Sequence, residues 1–581
     1  MRATVACRRR ILPAMLRNRF SRQAGDVPRV PRAWRQSIAR PLVVVSVCAA
    51  TAWPAQAQGP VTLDAGGQLE VGGEAERYWR ALQVAGVAAF RPLSIRVIDA
   101  PVMDSSGGVG GAHPWSSRWR GNRTGNPGSS WGHVRLLRPS VRVSWNSTLP
   151  VTDERGPAWT GRGLTAEARA GVSARLWRLH LQVEPVVWGA ENRPYELVNA
   201  AQVGMRDPRF AYQIDLPQRF GETRLTQIDP GNSAVWVALP LVDVGLSTRA
   251  QAWGPGREYP LMLSGNAGGF PHLYAGTRGG VPIGIGRLHA RVVGGSLEQT
   301  AWSPAGDSLP RWGVGMAALF TPRGVPGLEL GATRFIHGMS GPRWPGLSEF
   351  RRLVTGGLSG TGALNQLFEN QLASLFFRWQ VPRARFAAYG EVLRDDYSLD
   401  LRRAAQYPDD LRTFMLGVER VLRADAKAMR VVHAELVNGE LPSSNLVERG
   451  GTDARRQFPG PFPPYLHGAV VQGHTHRGQL LGSPSAFGGA GWRVGYSAYS
   501  SAGRRSLRLE RQMRLDWLPG VASDTLVSRE VRVGLVGEQL RFQGGREWLV
   551  QIAPSVDLNR GLVPGRHLVN VRVMAGVRGL R

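Results

Sequence analysis

The sequence predicts an all-β fold, a transmembrane antiparallel β-barrel of about eighteen strands preceded by a small, partly helical segment. Three observations predict it. A basic leader, an apolar run and a small-residue cleavage site mark the chain for export. Further on, apolar and charged residues alternate with period two in stretches of about ten residues, the length of a tilted membrane strand. No other apolar run is long enough to cross a bilayer as a helix, so an exported membrane protein of this sequence has to cross with strands.

Residues 1–57 read as a secretory signal peptide. Arg8–Arg10, Arg32, Arg35 and Arg40 lead into the apolar run Pro41–Trp53, and Ala55-Gln56-Ala57 supplies the cleavage site. The part before Val27 reads as lying upstream of the true start. Val47 is too bulky for lipoprotein cleavage at Cys48. Cys7 and Cys48 leave with the leader, so the exported chain has neither a disulfide nor a thiolate ligand. Lysine plus arginine number 72 against 43 acidic residues, a formal net charge of +29, and Lys427 is the single lysine. In an exported chain this excess points away from nucleic acid and toward acidic polysaccharide or anionic lipid headgroups.

Residues 58–130 form the N-terminal segment. Tyr78, Trp79, Leu82 and Ala85 recur at helical spacing behind Glu74 and Glu76, which predicts a helix over Gly73–Ala85. So short a helix is marginal without a partner surface, and we expect it at or in the periplasmic mouth of the barrel. Ser105–Ser130, rich in Gly, Ser and Asn, reads as a linker or exposed loop.

Residues 131–581 are the expected barrel. In Leu164–Leu176 the even positions are apolar, while Thr165, Glu167, Arg169, Ser173 and Arg175 stand among the odd ones. Ser506–Trp517 repeats the pattern. Apolar faces should meet lipid and Arg/Glu faces the lumen. Connections alternate between tight (Pro322–Pro326, Pro382–Arg383, Ala424–Ala426) and long (Gly338–Glu369, Asp395–Arg412, Asn438–Tyr465), as periplasmic turns and outer loops do. Trp177 and Trp188 are expected in the lipid-interface girdle.

One stretch, Ala252–Thr277, packs turn residues too densely for a flexible tether. Its Trp253-Gly254-Pro255-Gly256 turn, the Leu-rich piece Leu261–Leu263 and Ser264-x-Asn266-Ala267 resemble the signature of the Wzi family. Asn146-Ser147-Thr148-Leu149-Pro150, Trp159-x-Gly161-Arg162-Gly163, Glu191-Asn192, Arg219-Phe220-Gly221 and Phe270-Pro271-His272-Leu273 fit the same pattern in the same order. So do Asn370-Gln371-Leu372-Ala373 and Tyr389-Gly390-Glu391. The chain departs from the pattern at Glu154-Arg155-Gly156. The resemblance implies an outer-membrane, lectin-like barrel that holds capsular polysaccharide.

Chemistry beyond binding finds little footing. Asp395 and Asp396 are adjacent on a strand and point to opposite faces, so they cannot flank one glycosidic bond. His474 and His476 share a strand face, but His467 faces away and no acidic residue stands at ligand spacing, so no metal is expected. No nucleophile elbow or phosphate loop occurs, and neither catalytic residue nor cofactor is expected. Sugar binding uses aromatic faces together with Arg and Asn side chains, and the loops offer Trp253, Arg257, Tyr259, Asn266, Trp344, Arg351 and Arg352. Gly254 and Gly256 are expected to serve backbone geometry at positive φ. The expected function is retention of an acidic capsular or exopolysaccharide at the outer membrane, without enzymatic activity and in contact with lipid and lipopolysaccharide. The alternative is a porin or sugar channel.

Overall fold

From Gly163 to Glu167 the odd positions turn inward, and Leu164, Ala166, Ala168 and Ala170 turn outward. Successive side chains of an extended chain fall on opposite faces, so such a stretch suits a wall with one apolar and one polar side. The computed structural model describes residues 70–96, 113–116, 132–151, 156–197, 214–303, 310–339, 343–355, 369–395, 405, 408–409, 412–440, 463–467, 470–514 and 529–579. In it, 18 antiparallel strands close into a barrel. The expected signal peptide, residues 1–57, lies outside the described residues.

The first nine strands are β1 (Gly132–Asn146), β2 (Gly163–Leu176), β3 (Leu179–Val183, continued by Val186–Ala190), β4 (Leu225–Asp229, continued by Ala234–Ala238), β5 (Val242–Ser247), β6 (His272–Thr277), β7 (Gly286–Leu297), β8 (Arg311–Pro322) and β9 (Leu328–Gly338). The rest are β10 (Glu369–Val381), β11 (Phe386–Asp395), β12 (Arg412–Ala424), β13 (Ala428–Asn438), β14 (Ala490–Ser500), β15 (Gly503–Arg514), β16 (Glu530–Gln543), β17 (Arg546–Leu558) and β18 (Leu568–Arg578). Each pairs with its sequence neighbours, and β18 closes on β1 with Val577 opposite Val141. Closure leaves no strand edge unpaired, the condition for a sheet in lipid.

Tight turns at residues 177–178, 382–385, 425–427, 501–502 and 544–545 lie at one end, and the long connections lie at the other. Outward faces carry Val134, Leu136, Leu375, Leu416 and Val550, all exposed. Trp177, Trp379 and Trp548 stand exposed near the tight-turn end, where an interfacial girdle belongs. An apolar outer belt on a closed barrel places the protein in the outer membrane. In β1 the register shifts between Leu137 and Ser140, around Pro139, which has no N–H for the ladder. Outward parity changes there, from Val134 and Leu136 to Trp145.

Helix α1 (Glu74–Val84) forms where its spacing predicts, with Glu74 and Glu76 in its first turn. It packs inside the tight-turn end. Tyr78, Trp79 and Leu82 join Ala387, Val421, Met429, Val431, Tyr499 and Leu540, lumen residues of β11–β14 and β16. Residues 113–116 correct one expectation, since this part of the supposed linker is buried. Trp115 stacks on Tyr78 at a centroid distance of 4.0 Å, and its Nε1 donates to the Ser500 carbonyl at 2.9 Å. Trp115, set in a Gly- and Ser-rich stretch, was the signal that composition obscured. A second helix, α2 (Leu347–Thr355), lies in the long connection between β9 and β10.

Candidate functional site

Residues 252–271 fold into the lumen, and His272–Thr277, which follow, are strand β6 of the wall. Ala252–Trp253 pairs with Ile95–Arg96 of the N-terminal segment. The Trp253 ring is fully buried against β8 at Gly315, where a Cβ would stand 2.8 Å from the ring, and its Nε1 donates to Gln251 Oε1 at 3.1 Å. One carboxylate holds the next turn. Glu435 of β13 accepts from the backbone N–H groups of Arg257 (2.7 Å), Glu258 (2.8 Å) and Tyr259 (3.1 Å), and from the Tyr389 hydroxyl (2.6 Å). The loop before β14 clamps the far side. The Tyr465 hydroxyl donates to the Leu261 carbonyl at 2.7 Å, His474 Nε2 to Met262 at 2.8 Å, and Asn266 Nδ2 to Leu480 at 2.9 Å.

Of the residues expected to meet sugar, Trp253, Arg257, Tyr259 and Asn266 therefore lie inside a lumen plug. Turn-rich aromatic sequence looks the same whether its loop turns outward or inward, so the placement was not legible. The glycine expectation is corrected in part. Gly254 has φ +101°, and a Cβ there would stand 2.2 Å from Glu391 Oε2. Gly256 is not among the positive-φ glycines, and close approach accounts for it, with a Cβ 2.8 Å from the Tyr259 carbonyl oxygen.

Trp344 and Arg351 are exposed and lie at α2, on the outside of the barrel. Trp188 is buried, facing the lumen on the inward parity of β3 beside Val186 and Ala190, and not in the girdle. Asp395 accepts from the Tyr465 backbone N–H at 2.6 Å, while Asp396 lies outside the described residues. His476 Nδ1 accepts from the Glu298 backbone N–H at 3.1 Å, which requires a neutral ring. Burial holds His474 down to about 4 and His476 well below its ordinary value.

Several of the family-like motifs, scattered in sequence, converge at the long-connection rim. Asn146 Nδ2 donates to the carbonyls of Thr160 (3.2 Å) and Gly161 (3.0 Å). Gly161 lies under the Trp159 ring, 2.4 Å from where a Cβ would be. Asn192 Nδ2 gathers the carbonyls of Phe220, Gly221 and Thr223, and Arg219 donates to the Asn192 carbonyl at 2.6 Å. Trp159, Phe220 and Trp302 then form a ladder of rings with centroids 5.0 and 5.7 Å apart. Beside it, Glu191 accepts from the Leu164 N–H at 2.8 Å and pairs with Arg193. The Arg193 hydrogen bond and that N–H hold the Glu191 carboxyl below the usual range. The rim is thus fixed by amide–carbonyl bonds, with Trp159 buried, Phe220 and Trp302 half-buried, and guanidiniums at its surface.

No protein-family model matches the chain, and no curated protein matches it in sequence. Among solved structures, it resembles Wzi of Escherichia coli with a TM-score of 0.57 and 14% identity, over 88% of this chain and 98% of that one. The chain has the fold of Wzi. That protein is described as an outer-membrane carbohydrate-binding β-barrel involved in group 1 capsule assembly. OccAB2 of Acinetobacter baumannii (TM-score 0.38, 7% identity, 77% of this chain and 98% of that one) and OprD of Pseudomonas aeruginosa (0.36, 8%, 78% and 94%) are more distant.

In this Wzi-like barrel the lumen wall and the plug are electrostatically matched. Glu419 of β12 takes the Arg80 Nε of α1 at 3.0 Å, and Arg80 also donates to the Pro255 carbonyl at 2.9 Å. Glu329 of β9 pairs with Arg378 of β10 at 3.0 Å while accepting from the N–H groups of Leu93 and Ser94. Removing one partner of a buried pair strands a charge, so these contacts fix the plug's position more than they add net stability. Along the other half of the wall a cavity of about 280 Å³ remains, lined by Arg142, Glu167, Arg169, Arg493, Arg508, Glu510 and Arg572 among others.

Proposed function

We propose that this protein retains an acidic capsular or exopolysaccharide at the outer-membrane surface and catalyses no reaction. The carrying observation is the fixed rim of Trp159, Phe220, Trp302 and arginines at the end of a barrel whose lumen is occupied by its own chain. Phe220 and Trp302, half-buried beside the buried Trp159, offer ring surface to the C–H faces of sugars, and Arg193 and Arg224, both exposed, suit their carboxylates. The carbohydrate-binding description of Wzi supports the same reading. Asp395, one of the adjacent carboxylates weighed for glycosidase chemistry, and Glu391 upstream of it accept backbone N–H groups of the clamp and the plug, which favours a structural role for both.

The test is binding of an acidic polysaccharide to purified barrel across a salt series. Trp302→Ala and Arg193→Ala should each weaken binding by roughly ten- to a hundredfold at low salt. The arginine effect should shrink as salt rises and the tryptophan effect should persist. If both variants bind like the unaltered protein at low salt, the rim is not the sugar site.

The residual charged cavity favours a second reading, a channel for small anionic solutes. A planar-bilayer recording separates the two. Retention expects no steady current, and stepwise conductance would support the channel.

A further inference from the structure

Residues 343–355 of the long connection between β9 and β10 do not join the plug. They lie on the outside of the barrel. Phe350 and Leu353 of α2 pack on Trp312, Val314 and Ile336, with Val292 and Met316 at the margin. These are outward positions of β7–β9, alternating with Val293, Ala317 and Phe335 of the lumen core. The fit is close. A Cβ on Gly294 of β7 would stand 2.2 Å from the Phe350 ring, and Arg334 NH1 donates to the Leu353 carbonyl at 2.8 Å, closing the helix end.

The sides of α2 turned away from the wall are not those of a helix in water. Leu347 is 86% and Val354 66% exposed, with Trp344 just upstream also exposed. Beside the helix the outer wall carries an apolar groove of about 560 Å³, bounded by Val235, Val244, Leu246, Leu273, Val292 and Phe350. Exposed guanidiniums accompany these apolar residues. Arg352 is tied to Glu369, whereas the exposed Arg343 and Arg351 make no ion pair among the described residues. Residues 339–368 contain three arginines and one acidic residue, Glu349.

Position decides the occupant. The groove and α2 lie on the lipid-facing wall, α2 toward the long-connection end and the groove running from it to Leu179 near the tight-turn end, so what covers them is membrane lipid rather than water or a soluble partner. The guanidiniums of Arg343 and Arg351, without an ion pair among the described residues, favour anionic headgroups. We propose that α2 and the adjoining groove seat a phosphorylated outer-leaflet lipid, the lipid A part of lipopolysaccharide, with an acyl chain along the groove and a phosphate against Arg343 and Arg351. This rests on the outer-membrane barrel and is independent of the polysaccharide reading.

Native mass spectrometry of the detergent-solubilised full-length barrel tests it, with bisphosphorylated lipid A, dephosphorylated lipid A and phosphatidylethanolamine as probes. The unaltered protein should bind bisphosphorylated lipid A roughly tenfold more tightly than either other lipid. The double variant Arg343→Gln/Arg351→Gln should lose that preference and keep its phosphatidylethanolamine binding. Leu347→Asn/Val354→Asn should weaken all three lipids, and heat-modifiable gel mobility checks that both variants stay folded. Equal binding of the three lipids by the unaltered protein, or an undiminished lipid A preference in the arginine variant, overturns the proposal. So does an arginine variant that keeps lipid A but loses acidic polysaccharide, since α2 then belongs to a sugar surface.

Discussion

Trp253 shows how one side chain is tied to its neighbours. Its ring fills the space left by Gly315 and its N–H is satisfied by Gln251, so truncation leaves a cavity and an orphaned amide. Trp253→Ala should cost about 3–5 kcal/mol, read as a lowered urea midpoint, and should spare sugar binding at the rim. Gly254→Val should also destabilise, by about 2–4 kcal/mol, because it combines a left-handed φ with overlap onto Glu391. A midpoint unchanged in Gly254→Val would mean that this turn is not as described. His474 supplies a pH dependence. Burial lowers its pKa from 6.5 to about 4, so between those values the unfolded chain binds a proton that the folded plug refuses. Stability is full above pH about 6.5, falls as pH drops toward about 4, and loses on the order of 3 kcal/mol in all. His474→Gln should flatten part of that fall in urea titrations at pH 7.5 and 4.5, the remainder coming from His476, which is shifted the same way.

At the scale of elements, α1 and residues 252–271 act as one body. Arg80 joins them by reaching both Glu419 on the wall and the Pro255 carbonyl in the turn. Arg80→Leu removes one partner from a fully buried pair and should cost about 3–5 kcal/mol. Its clearer signature is protease sensitivity of residues 70–96 in an otherwise heat-modifiable barrel. Equal protection in the variant and the parent would show that the pair does not hold the plug. The helix itself was legible from spacing alone, since Tyr78, Trp79 and Leu82 fall on its buried side. Trp188 was legible too but misread. It shares parity with His180 and Gln182, and parity outranks the general preference of Trp for the interface.

For the whole molecule, closure of the sheet and occupation of its lumen are separate facts with separate tests. Membrane fractionation should place the protein in the outer membrane, and unheated samples should run faster on gels than boiled ones. Plug-weakening variants such as Trp253→Ala should give flickering currents in planar bilayers where the parent gives none. A silent bilayer for every such variant would assign closure to something other than this plug.

Sequence alone determined the barrel, its strand alternation, the short and long ends and the site of α1, because each depends on local periodicity or on the lipid's demand for paired backbone. Tertiary structure decided which long connection turned inward and which turned outward. Ala252–Thr277 and residues 339–368 are both turn-rich and carry Trp and Arg. Residues 252–271 of the first became core because Glu435, Glu391 and the clamp at Tyr465 and His474 receive them. Leu347–Thr355 of the second became an outer-wall helix because Trp312, Val314 and Ile336 face outward on β8 and β9 to receive it. Those receiving surfaces are assembled from residues tens to hundreds of positions away, so no local pattern records them, and only closing the barrel brings them to the loops they hold.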